Sequence, residues 1–116
     1  MLIIRAQHQA AFDQAVARSL ECSLLTHATR TFGPRVAAMG EPAARALVRK
    51  AIARAKRHGI VQEYEVSRYL DMMFLLGEDF DADVALPWAR EILARAGWTE
   101  TEKMDRLCEH VGWRRA

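Results

Sequence analysis

The strongest constraint in this chain lies between Ala51 and Leu93, where helical apolar spacing is interrupted at Gly59 and Gly77 and resumes at Pro87. Glycine is suited to closing a helix and proline to opening one, so the punctuation agrees with the periodicity on either side. In between, Glu78-Asp79-Phe80-Asp81-Ala82-Asp83 leads as an acidic loop into Leu86-Pro87-Trp88. The pattern sets an all-α architecture, a single-domain bundle of about five helices spanning residues 1–116, with residues 1–4 and 112–116 as loose tails.

The first helix is expected from Arg5 or Ala6 to about Thr31, with Phe12, Val16, Leu20 and Leu24 as its buried stripe. Gly33-Pro34 breaks the chain and a short turn reaches Gly40. A second helix, Pro42 to His58, buries Leu47, Val48, Ala51, Ile52 and Ala55 and exposes an almost purely cationic face. The third, Gln62 to Leu76, carries apolar residues on two sides, so it is expected to be the central helix, packed within the bundle or against another chain. Pro87 opens a fourth, which Gly97 ends, and Thr99 with Glu102 forms a capping box for a fifth lined by Met104, Leu107, Cys108 and Val111.

Charge is divided along the chain. Residues 1–58 carry ten Lys/Arg against three Asp/Glu, and residues 59–116 carry seven against twelve, giving halves of +7 and −5. Such halves pack against each other or offer a partner two differently charged faces. The apolar fraction of 51% supports a core without disulfides, so Cys22 and Cys108 read as reduced, semi-buried thiols. The run Met72 to Leu76 is far short of the roughly 18 residues a membrane span needs, and Arg5 interrupts Met1-Leu2-Ile3-Ile4 before a signal-peptide core forms. A cytoplasmic protein is expected.

Candidate chemistry is sparse. Cys22, His27, Cys108 and His110 have zinc-ligand composition, but spacings of five and two residues put neither pair on one helical face. Asp79-x-Asp81-x-Asp83 has the alternation of a calcium loop, yet Val84 stands where the turn needs glycine and Arg90 where a bidentate glutamate belongs. No phosphate loop or nucleophile elbow is present, and each of His8, His27, His58 and His110 reads as isolated. The expectation is therefore no enzyme, no metal and no cofactor. Ala55, Gly59 and Val66-Ser67-Arg68-Tyr69 resemble the punctuation of a helix-turn-helix, but charged Arg54, His58, Glu65 and Arg68 occupy positions that its core would fill with apolar residues. A nucleic-acid-binding regulator using the basic second helix is the alternative function.

The order Ile4-Arg5, Phe12, Phe32-Gly33-Pro34, Ala55-x-x-x-Gly59-Ile60, Tyr69-Leu70-x-Met72-Met73-Phe74-x-x-Gly77-x-Asp79-Phe80-Asp81 and Leu86-Pro87-Trp88-Ala89-x-x-Ile92-Leu93 resembles a family of small helical bacterial proteins found beside type VI secretion spike and toxin components. The chain departs from that pattern in lacking a Thr or Ser helix cap near Val61. The resemblance implies a non-catalytic protein–protein interaction module: an adaptor or chaperone that loads a secreted toxin or spike protein, or an immunity partner of the toxin. A second copy of the chain is a further candidate partner; no membrane is involved. Within this reading Glu78, Asp79, Phe80, Asp81, Asp83 and Trp88 form the candidate partner-binding surface, with Phe80 and Trp88 half-exposed and the aspartates removable without loss of stability. The basic face of Arg45, Arg49 and Lys56 is the second candidate.

Overall fold

The computed structural model describes residues 2–114, with side chains described from Gln14 onward. Six helices follow one another: α1 (Leu2–Thr31), α2 (Gly33–Met39), α3 (Glu41–Arg57), α4 (Glu63–Leu76), α5 (Pro87–Leu93) and α6 (Glu100–Val111), with one 3₁₀ turn at Phe80–Ala82 between α4 and α5. No strand occurs among the described residues.

The expected central helix is central. In α4, Val66, Tyr69, Leu70, Met72, Met73 and Phe74 are all buried, and the helix packs against α1, α3 and α6. Because its apolar residues lie on more than one side, no single neighbour could cover them. Around it sit Leu24 and Ala28 of α1, Ala44, Val48, Ala51 and Ala55 of α3, Ile92 and Leu93 of α5, and Met104 and Leu107 of α6.

The helix ends follow the punctuation at α3 and α6. Gly59, at φ +77, lets the Ile60 N–H return to the Ala55 carbonyl and close α3. At α6 both bonds of the Thr99–Glu102 capping box form, and Gly112 closes the other end in the left-handed region. The missing cap near Val61 is supplied from elsewhere in the chain. Glu100 Oε1 accepts from the N–H groups of Val61 and Gln62 at 3.0 and 2.9 Å, and one turn along α6 Lys103 Nζ donates to the His58 carbonyl at 2.9 Å. A carboxylate thus meets the positive end of α4 and an ammonium the negative end of α3.

Five expectations are corrected. Leu2 to Ile4 are helical, since no glycine or proline separates them from the rest of α1; Met1 and Arg115–Ala116 lie outside the described residues. Gly33 to Met39 is a helix, because proline in a first turn costs no hydrogen bond and the turn buries Val36, which makes six helices where five were expected. α5 stops at Leu93 and not at Gly97: residues Ala94 to Gly97 are all exposed and have no apolar face to bury. The stripe of α1 is buried only from Leu24, with Leu20 half-buried and Val16 50% exposed; Phe12 lies outside the described side chains. The C-terminal tail is anchored as far as Trp113, whose ring stacks on Phe32 at 5.7 Å and whose Nε1 donates to Asp71 at 3.1 Å.

Phe74 stacks on Phe32 at 4.5 Å between centroids, and the Arg35 guanidinium covers its ring. Phe74→Ala is expected to lower unfolding free energy by about 3 to 5 kcal/mol in urea titration; a loss below about 1 kcal/mol would remove α4 from the centre of the core. Glu100→Ala should cost about 1 to 2 kcal/mol through the uncapped N–H groups of α4. A change within error would show that water caps that end equally well.

Candidate functional site

The acidic loop folds back onto the basic helix. Lys50 Nζ reaches Glu78 Oε1 and Asp79 Oδ1, both at 2.9 Å. Arg54 divides its guanidinium between Asp79 Oδ1 at 3.0 Å and Asp81 Oδ1 at 2.9 Å. The other oxygen of Asp81 accepts from the Tyr69 hydroxyl at 2.9 Å and meets His58 Nε2 at 3.2 Å. Phe80 is 1% exposed and packs on Tyr69, ring centroids 5.0 Å apart. The loop is therefore held by one ring and one carboxylate beneath it and by two exposed carboxylates above.

This separates the candidate residues. Glu78, Asp79 and Asp83 are exposed, Trp88 is half-buried, and Phe80 and Asp81 are buried. The half-exposure expected of Phe80 is corrected: its ring fills the space between α4 and the loop. Asp83 Oδ1 accepts from the Ala85 N–H at 2.9 Å, the backbone-capping role natural to aspartate in a turn. Trp88 stacks on His110 with centroids 4.3 Å apart.

The second candidate face is partly neutralised. Arg45 pairs with Glu41 at 2.9 Å and Glu21 at 3.5 Å, and Arg49 with Glu21 at 3.2 Å; Lys56 is exposed and makes no ion pair among the described residues. Contacts of this exposed kind contribute ~0.2 to 1 kcal/mol each. Their larger effect is on the field, since carboxylates now lie among the charges that would attract phosphate.

Two carboxylates of α4 are buried and paired. Glu65 is 3% exposed and binds Arg68 at 3.1 Å, and Arg68 reaches Asp105 at 2.7 Å. Burial pushes the Glu65 carboxyl above its ordinary range, and the Arg68 charge offsets only part of that. Asp71, fully buried, meets His27 Nε2 at 2.6 Å. His27, His58 and His110 are thus not isolated: two face buried carboxylates and the third an indole. His8 lies outside the described side chains. A signal for Asp71 existed, because it interrupts a run that is apolar on every side and so has no solvent face to take.

No group of three or more His, Cys, Asp or Glu side chains able to hold a metal ion comes together among the described residues. Cys22 is exposed, against expectation, because no described element covers that face of α1; Cys108 is buried. Among the described residues no helix is long and apolar enough to cross a membrane. In comparison with known proteins the chain matches no family model, no curated protein and no solved structure.

Burial alone would raise the Asp81 carboxyl, but the bonds from His58 and Tyr69 and the charge of Arg54 outweigh it and hold the group below the ordinary carboxylate range. A depressed folded-state value means that Asp81 stabilises the fold above the unfolded carboxylate range, near pH 4, and that this contribution is lost as pH falls through it. Asp81→Asn is therefore expected to destabilise by about 2 to 4 kcal/mol at pH 7 and to flatten part of the stability loss below about pH 4. Asp79→Asn, at an exposed site, should leave the melting temperature nearly unchanged. Equal effects of the two substitutions would mean that Asp81 is not the anchor.

Proposed function

We propose that the protein is a non-catalytic protein–protein interaction module, acting as an adaptor or chaperone for a type VI secretion toxin or spike component or as the toxin's immunity partner. The observation that supports this reading is the uneven packing of α1. The helix is 30 residues long, about 45 Å, yet Gln14 to Ser19 are all exposed and the first fully buried side chain in its described part is Leu24. Helices in water owe most of their stability to an amphipathic face packed on something, so a long helix that leaves the bundle is suited to completing itself on a partner. The exposed carboxylates Glu78, Asp79 and Asp83, with half-buried Trp88, provide a second accessible surface on the same bundle.

The test is co-expression with type VI secretion toxin and spike proteins from the same genome, followed by co-purification. Wild-type protein is expected to retain one of them, and Val16→Glu to lose it with an unchanged melting temperature. Retention by Val16→Glu would move the interface to Glu78, Asp79, Asp83 and Trp88. Failure to retain any secretion protein, together with DNA binding that falls steeply as salt rises, would replace the proposal with the nucleic-acid reading.

A further inference from the structure

The connection between α5 and α6, with Trp88 of α5 and the facing side of α6, carries a row of cationic and aromatic side chains in contact. The Arg95 guanidinium lies over the Trp98 ring, 4.9 Å from its centroid, and Arg106 lies over the same ring at 5.5 Å. One turn beyond Arg106, His110 stacks on Trp88 with an interplanar angle of 9°. Arg95 is exposed and forms no ion pair among the described residues, and Arg106, 58% exposed, has only a long 3.6 Å contact to exposed Glu109. Both tryptophans are half-buried.

We propose that the strip formed by Arg95, Trp98, Arg106, His110 and Trp88 is a docking surface for an acidic segment of a partner protein, one bearing two separated carboxylates. The inference rests on the interaction-module reading and adds the chemistry of the partner. A guanidinium over an indole makes no hydrogen bond to it and so keeps its N–H donors, and the ring contact restrains the side chain, so less entropy is lost when a carboxylate is captured bidentately. Trp and Arg are also the residue types that carry most binding energy at protein interfaces. Because both guanidinium carbons lie near the same centroid, at 4.9 and 5.5 Å, they are no more than about 10 Å apart, a gap that two carboxylates within three residues of each other in an extended peptide can bridge.

Carboxylate is favoured over nucleic acid by the surrounding charges. Glu91 stands one turn before Arg95, Glu102 one turn before Arg106, and Glu109 three residues after it. All three are exposed. A continuous row of phosphates laid on the strip would run along these carboxylates, and its repulsion grows with every added charge. Two carboxylates spaced by neutral residues can sit on the guanidinium edges and avoid them.

The test uses the intact protein and the capped peptide acetyl-Glu-Gly-Gly-Glu-amide, followed by the NMR shift of the Trp98 indole N–H, which Trp98→Phe identifies. A saturable shift in the millimolar range is expected, absent with the glutamine analogue of the peptide. The Arg95→Lys, Arg106→Lys double variant keeps the charge but loses the stacked fork, and should bind at least about fivefold more weakly. The proposal is overturned by no saturable shift, by equal binding of the glutamine peptide, by unchanged affinity of the lysine variant, or by a twelve-nucleotide thymidine strand binding more tightly at the same signal. The probe requires no cognate protein, so a negative titration and a negative co-purification are independent results.

Discussion

Burying α4 on nearly every side is the constraint from which the rest of the fold follows. A helix exposed only at its first turn cannot leave its other polar side chains to water, and α4 buries Glu65, Tyr69 and Asp71. Each of them links α4 to different elements, directly or through one intervening side chain. Glu65 acts through Arg68 on Asp105 of α6, Tyr69 through Asp81 on the loop and α3, and Asp71 directly on His27 of α1 and Trp113 after α6. The ends of the helix obey the same rule, with Glu100 of α6 at the first turn and Arg35 of α2 at the Phe74 carbonyl. Among the described residues no buried side-chain nitrogen or oxygen lacks a partner. Apolar contacts hold these elements on α4, and the polar links fix where along it each one sits, since sliding by a turn would strand a buried charge.

The division of charge along the sequence has the same origin. Loop carboxylates and α3 cations meet because α3 and α4 are adjacent and the chain must turn back after Gly77. The turn uses a backbone conformation at Gly77, φ +119, that other residues rarely adopt. Once folded, Lys50 and Arg54 face Glu78, Asp79 and Asp81, so much of the asymmetry is neutralised inside the molecule. The exposed members of the set add little to stability. Asp81 differs because it is desolvated, and the same three donors that hold it also fix Phe80 against Tyr69.

Helical class, the central helix and the capping box at Thr99 were legible because each depends on local spacing. Gly33-Pro34 misled because a proline break and a proline start look the same until Val36 is seen to be buried. The first turns of α1 and the early end of α5 depended on propagation and burial, which periodicity does not report. At the candidate site the acidic loop was visible and its pairing was not, since the 27 residues separating Arg54 from Asp81 leave no local trace. Asp71 is a related case, its buried carboxylate met by His27 of α1, 44 residues away in sequence. A charge on an apolar helix can be buried if its partner comes from another element, and a single sequence does not show where that element will lie.

Recognition by a partner depends on which groups the fold leaves open. The basic row of α3 faces carboxylates at Arg45, Arg49, Lys50 and Arg54, so a partner approaching there would have to compete with contacts already made. Displacing an exposed ion pair returns little net energy, because the gain to the partner is offset by the pair lost. Arg95 and Arg106 differ: each lies over the Trp98 ring, and their one ion pair among the described residues is the long 3.6 Å contact of Arg106 to exposed Glu109, so a carboxylate adds contacts and displaces little. The exposed turns of α1 are likewise open, offering Val16 with Ala15 and Ala17 as apolar surface beside Arg18. A partner that used both surfaces would gain affinity from burial on the helix and orientation from the arginines, the division of labour expected when apolar contact supplies energy and charge supplies specificity.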